Sequence, residues 1–151
     1  SKKKYFIVKK IREDFYMIKV IYGAKGTGKT KQMIDAANAA VATAKGHLIF
    51  ITDTKRGMYD LARDIRFIDV TDFDVAGEAA LCGFIKGVIA GNHDNEYVYI
   101  DGVMRIAGKP VNELAAFFYM LDKVAAENSL TITVSISAAK EELPDFVQKY
   151  L

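Results

Sequence analysis

The chain has 151 residues, 51% of them hydrophobic, and a formal net charge of +2. That fits one domain with a sizeable core and excludes a disordered, collagen-like or coiled-coil protein. No apolar run reaches the roughly 18 residues of a membrane span. The single cysteine, Cys82, excludes a disulfide framework or a zinc cluster of thiolates, so a cytoplasmic setting is expected.

The charge is unevenly spread. Residues 1–16 hold five lysines and Arg12 against Glu13 and Asp14, a net of +4, which leaves −2 for the remainder. The apolar patch Tyr5 to Val8 is cut short by Lys9 and Lys10 and makes a poor signal peptide. We therefore expect a basic N-terminal segment over 1–16, as a leader, tag remnant or arm. The domain proper is expected over 17–151. With the net positive charge confined to the first segment, the body of the protein gives only weak support for nucleic-acid binding.

Ile18 to Tyr22, β-branched and aromatic and ending at Gly23, reads as a strand. Lys31 to Ala44 carries Met33, Ile34, Ala37, Ala40, Val41 and Ala44 at helical spacing, with Gly46 as its expected stop. His47 to Thr52 is nearly all apolar, as in a strand buried on both faces. The spacing of Met58, Leu61, Ala62 and Ile65 predicts a short helix over Lys55 to Arg66, followed by a short strand over Phe67 to Val70. A helix is predicted over Val75 to Gly91 despite three internal glycines, then a strand over Glu96 to Asp101. Val111 to Asn128 reads as a long helix and Leu130 to Ser137 as a strand. A last short helix is expected over Glu141 to Leu151, with Pro144 in its first turn. Alternation of this kind predicts an α/β fold: a three-layer arrangement with a mostly parallel sheet and helices on both faces.

One loop carries the chemistry. Gly23, Ala24, Lys25, Gly26, Thr27, Gly28, Lys29 and Thr30 match G-x-x-x-x-G-K-[ST] at every fixed position, with a strand before and a helix after. A phosphate chain needs donors on all sides, and small residues let backbone N–H groups wrap it. The following helix adds the positive end of its dipole. Lys29 is placed to reach the β- and γ-phosphates and the Thr30 hydroxyl to ligate magnesium. With glycine at about 7% usage, a chance match in a chain of this length is roughly one in a few hundred. Asp101, closing the run Val98-Tyr99-Ile100, supplies the carboxylate that such a site needs to orient its magnesium shell. ATP with magnesium is thus the expected ligand. GTP is less favoured, since no N/T-K-x-D motif for guanine is present.

On these residues the chain resembles P-loop NTPases across 17–151, with a Walker A motif at Gly23–Thr30 and a Walker B-type strand ending at Asp101. The intervening segments make it similar to the RecA-like side of that superfamily. Its opening, MIKVIYGAKGTGKTKQMIDAANAA, resembles small stand-alone ATP-binding proteins of bacteria. The resemblance implies a water-activating carboxylate. Gly102 stands beside Asp101 where relatives often have glutamate, so Asp53, ending the second strand, is the candidate base alongside Lys29 and Asp101 as catalytic residues. It also implies a γ-phosphate sensor, for which Ser135 or Ser137 qualifies, and contacts from Arg56 or Arg105 to phosphate, base or a neighbouring subunit. His47 and His93 lack metal-ligand spacing and read as structural or surface residues. Cys82 reads as packed, and Phe117, Phe118 and Tyr119 as core and interface.

Four functions compete, the weakest a nucleic-acid-stimulated motor, whose net positive charge would lie only in residues 1–16. A slow ATPase, acting through a homo-oligomer or a protein partner, comes first. A nucleoside or nucleotide kinase lacks an arginine-rich lid here. A switch or scaffold that binds ATP without hydrolysing it is favoured by the missing glutamate.

Overall fold

A computed structural model describes residues 16–151; the expected N-terminal arm, apart from Tyr16, lies outside the described residues. Five strands form one sheet: β1 (Met17–Tyr22), β2 (His47–Thr52), β3 (Ile65–Asp69), β4 (Asn95–Ile100) and β5 (Thr131–Ile136). Every pairing is parallel and the order is β1-β5-β4-β2-β3. The helices are α1 (Lys29–Val41), α2 (Glu78–Ala90), α3 (Val103–Ala107) and α4 (Ala115–Asn128), which lie between strands, and α5 (Asp145–Gln148), which follows the last strand. The protein is α/β with a parallel sheet and helices on both faces, as the alternation predicts. Among the described residues, no helix is long and apolar enough to cross a membrane.

The two faces follow from strand parity, since successive side chains point to opposite sides of a sheet. Ile49 and Ile51, Val98 and Ile100, and Ile132, Val134 and Ile136 share a continuous core with Leu81 and Ile85 of α2, Ile106 of α3 and Phe117 and Leu121 of α4. On the other side, Leu48, Phe50, Ile65 and Tyr99 pack against Met33, Ile34 and Ala37 of α1. Among the described helices, α1 alone contributes buried residues to that second core. Large rings fill the space on this side. Phe67, Phe50 and Tyr99 run from β3 across β2 to β4, with centroids 6.5 and 6.2 Å apart, and Tyr97 stacks on Tyr99. Burial raises the Tyr99 phenol to about 12, with a further push from Tyr97.

Several elements depart from the sequence reading. The helix expected over Lys55 to Arg66 is a single 3₁₀ turn, Met58–Asp60, and Ile65 and Arg66 already belong to β3. Its backbone groups are satisfied from outside: the Asn38 side chain on α1 donates to Asp60 O and accepts from Ala62 N–H, both at 2.8 Å. Those bonds replace a helical ladder and let Leu61 turn extended. β3 ends at Asp69, and Val70 opens a 3₁₀ turn capped by the Asp69 carboxylate. The long helix expected from Val111 divides into a 3₁₀ turn, Val111–Glu113, and α4, with buried Leu114 off helical geometry between them. Helix α3 falls in a stretch the periodicity left unassigned; five residues are too few to show a period. Pro144 precedes α5 rather than sitting in its first turn. Gly46 does not cap α1, which ends at Val41. It lies where a Cβ would come within 3.0 Å of Glu96 Cβ, and its N–H donates to Glu96 Oε2 at 2.6 Å.

Candidate functional site

The C-terminal ends of β1, β2, β4 and β5 gather the polar residues that the sequence singled out. In an open parallel sheet this edge is where ligands bind. After β1 the chain turns through Gly23–Gly28 into α1. Thr27 Oγ1 donates to Ala24 O at 2.6 Å, closing the loop on itself. Gly28 caps α1 with φ 85°, a left-handed conformation that a side chain would strain. The first turn of α1 then holds Lys29, Thr30 and Lys31 and no acid. Cations at a helix N-terminus oppose its dipole, so this placement costs stability and suits an anion.

Lys29 is 8% exposed, and its ammonium donates to Ala24 O at 2.9 Å. It makes none of the ion pairs among the described residues. Burial pushes its pKa below the ordinary lysine value; Asp101 partly offsets this and Arg105 adds to it. Asp101, only 3% exposed, follows β4. Its Oδ2 accepts from Thr30 Oγ1 at 2.8 Å and its Oδ1 from Ser135 Oγ at 2.6 Å. Ser135 Oγ in turn accepts from Gly102 N–H at 3.1 Å. A buried cation and a buried carboxylate thus lie close enough to influence each other, yet neither neutralises the other by contact. Such an arrangement carries a desolvation cost that a ligand bearing both charges would relieve.

The order of the sheet explains this assembly. β5 lies between β1 and β4, so Ser135 stands between the loop strand and Asp101. Along β5 the hydroxyl residues Thr131, Thr133 and Ser135 alternate with Ile132, Val134 and Ile136, and the hydroxyls share the face that Tyr97 and Tyr99 show to α1. That alternation was visible in the sequence and put Ser135 on the polar side of its strand; only the place of β5 beside β4 brings it to Asp101. Ser135 is committed to holding Asp101, whereas Ser137 is exposed.

Asp53 follows β2 and is engaged: Arg105 Nε and Nη2 donate to its two oxygens at 3.0 and 2.8 Å. Thr52, beside it, went unnoticed in the sequence. Its hydroxyl is buried without a hydrogen-bond partner among the described residues, and the pairing of Ile51 with Ile100 puts it next to Asp101. Arg56 lines a separate cavity with Thr30, Lys31, Asp35 and Asp60 and is not brought to Asp101. Glu96 belongs to the opposite edge, where its carboxylate accepts the N–H groups of Lys45 and Gly46. His47 and His93 are exposed, and His47 Nδ1 meets the Asn92 amide. Cys82 is half-buried against the core, Phe117 and Phe118 are core, and Tyr119 is exposed.

Among the described residues, no group of three or more His, Cys, Asp or Glu side chains could by itself hold a metal ion. One hydroxyl and one carboxylate fit an ion that takes its other ligands from water and a bound phosphate. Among known proteins, neither a family model nor a curated protein sequence matches this chain.

Proposed function

We propose that the protein is a P-loop nucleotide-binding domain that takes ATP with magnesium and hydrolyses it slowly. The observation that carries this is the pair of buried, unneutralised charges, Lys29 and Asp101, set around a glycine-rich turn that opens a cation-bearing helix. Gly23–Thr30 would cradle the phosphates with backbone N–H groups, and Lys29 would meet the β- and γ-oxygens. Thr30 and Asp101 would hold magnesium, directly or through water, and Ser135 would keep Asp101 in place. The ion would supply neutralisation of charge on the phosphate oxygens. The orphaned Thr52 hydroxyl beside Asp101 suits a site that receives further polar groups. The lone strand between β1 and β4 agrees with the RecA-like resemblance.

A second reading, a switch that binds ATP without useful hydrolysis, is favoured by one specific feature. The candidate base, Asp53, is held by Arg105, and Gly102 offers no carboxylate beside Asp101. Calorimetric titration of ATP, GTP and a non-hydrolysable ATP analogue with magnesium tests the binding claim. Phosphate release from whichever nucleotide binds then separates the two readings. Asp101→Asn should remove most of the magnesium dependence of binding while leaving the protein folded. A variant with undiminished magnesium dependence would sink the assignment of Asp101.

A further inference from the structure

We propose that the Arg105–Asp53 pair is an anion-operated latch: without nucleotide Asp53 holds the guanidinium, and the third phosphate of a nucleoside triphosphate draws it away. Arg105 is then the residue by which the protein tells triphosphate from diphosphate. The inference rests on the nucleotide reading of the neighbouring loop and deepens it.

Three observations carry it. The first is geometry. Two parallel N–H···O bonds, at 3.0 and 2.8 Å, join the guanidinium fork to one carboxylate. The partners follow the ends of two adjacent strands, Asp53 directly after β2 and Arg105 in α3, four residues beyond Asp101 at the end of β4. The pair lies over the backbone of Gly102, where a Cβ would stand 2.9 Å from both Arg105 Cζ and Asp53 Oδ1. Gly102 also has φ 88°, so the residue that spaces Asp101 from α3 is doubly bound to be glycine.

The second is the surroundings. Arg105 lines a cavity of about 300 Å³ with Lys25, Gly102, Lys109, Ser135 and Ser137, and no carboxylate belongs to that lining. Lys25 comes from the glycine loop itself and makes none of the ion pairs among the described residues. Lys109 is tied to Glu78 at 2.6 Å. A phosphoryl group entering here meets Lys25 and the face of the Arg105 side chain. The charge of Arg105 already reaches Lys29.

The third is exchangeability. The Arg105 side chain is 49% exposed, so its pair with Asp53 is screened and worth little, on the order of a surface ion pair. A terminal phosphate offers the same bidentate geometry with more negative charge. The guanidinium can therefore change partners at small cost, whereas a fully buried pair could not. Release leaves the Asp53 carboxylate free at the end of β2, beside Thr52. The same exchange therefore uncovers the candidate base only when a third phosphate is present.

The test is a set of dissociation constants for magnesium–ADP and for magnesium with a non-hydrolysable ATP analogue. They are measured on the wild-type chain and on Arg105→Ala, Arg105→Lys and Asp53→Asn, with thermal melts confirming that each variant folds. The wild type should prefer the analogue. Arg105→Ala should weaken the analogue about ten-fold or more and leave ADP within about two-fold, the loss expected for hydrogen bonds to a charged group. Arg105→Lys, which keeps the charge but not the fork, should fall between. Asp53→Asn should strengthen the analogue by about three- to five-fold, because the competing carboxylate is gone. Equal weakening of both nucleotides by Arg105→Ala would reduce the arginine to a structural role and overturn the latch. So would an Asp53→Asn variant that binds the analogue as the wild type does. Binding of both nucleotides with no effect of any variant overturns the latch alone. A wild-type chain that binds neither overturns the nucleotide reading with it.

Discussion

The two faces of the sheet are built from different materials. One is aliphatic on the sheet side and is covered by α2, α3 and α4, with Val147 of α5 in the same core. The other is faced with aromatic rings and is covered by α1, with Leu61 and Ala62 packed beside it. On the first face Ile49, Ile51, Val98, Ile100, Ile132, Val134 and Ile136 are all buried and all aliphatic. The second runs, at its C-terminal end, into Lys29, Asp101, Ser135 and Thr52, all buried and all polar. Burial of apolar area is what stabilises a domain of this size, at about 25 cal/mol per Å². Buried charge works against it. The difference teaches that the larger apolar core and the buried polar groups lie on opposite sides of the sheet, so each should be open to damage without the other.

The largest effect should come from the aliphatic face. Phe117→Ala, at a fully buried position on α4, should cost about 3–5 kcal/mol of unfolding free energy in a denaturant titration. Nucleotide affinity, measured where the variant is still folded, should stay within about three-fold of wild type. A large loss of affinity would show that the faces are not independent.

Lys29→Met should behave in the opposite way. It keeps the stem and removes the charge, so nucleotide affinity should fall by about 100-fold while the melting temperature holds or rises by a few degrees. The sign can be checked with pH. The folded-state pKa of Lys29 lies below its ordinary value, mainly through burial, so the cost of the charged form is full below that folded pKa. It is relieved as pH rises through it, because the unfolded chain then binds the extra proton. The stability advantage of Lys29→Met over wild type should therefore shrink toward alkaline pH. A variant markedly less stable than wild type at neutral pH would break the comparison.

The smallest effect lies at the sheet edge. Burial raises the Asp69 pKa, but the hydrogen bonds from Thr71 and Lys55 and the Lys55 charge outweigh it, leaving the carboxyl below its ordinary value. A depressed carboxylate contributes stability that is full above its unfolded pKa of about 3.9 and is lost as pH falls through the folded value. Asp69→Asn keeps the cap on Thr71 N–H. It should lower the melting temperature by roughly one to three degrees at pH 7. The gap should close under acid conditions. Melting curves from pH 7 downward through pH 3 read both, and a gap that does not begin to narrow below the unfolded pKa of about 3.9 would assign the effect to packing instead.

Legibility differed along the chain for physical reasons. The strands and the long helices could be read because their partners repeat at periods of two and 3.6 residues. The segment Lys55 to Arg66 misled because Met58, Leu61, Ala62 and Ile65 have helical spacing by coincidence, while Asn38, far away in sequence, takes over the backbone bonds a helix would need. The glycine loop and Asp101 were readable as chemistry, since their residue types and flanking elements are local. The Thr30–Asp101–Ser135 chain was readable only in part, because it joins residues separated by 71 and 34 positions.

By itself, then, the sequence determined the alternation of strands and helices, the glycine-rich turn between β1 and α1 and the strand-ending carboxylate, all of which depend on neighbours within a few residues. Only the tertiary structure decided that β5 enters between β1 and β4, that Ser135 serves Asp101, that Asp53 is held by Arg105, and that Lys29 and Asp101 are both buried without touching. Those facts depend on strand order and on which side chains meet across it, and no local pattern along a chain encodes the order in which its strands will pair.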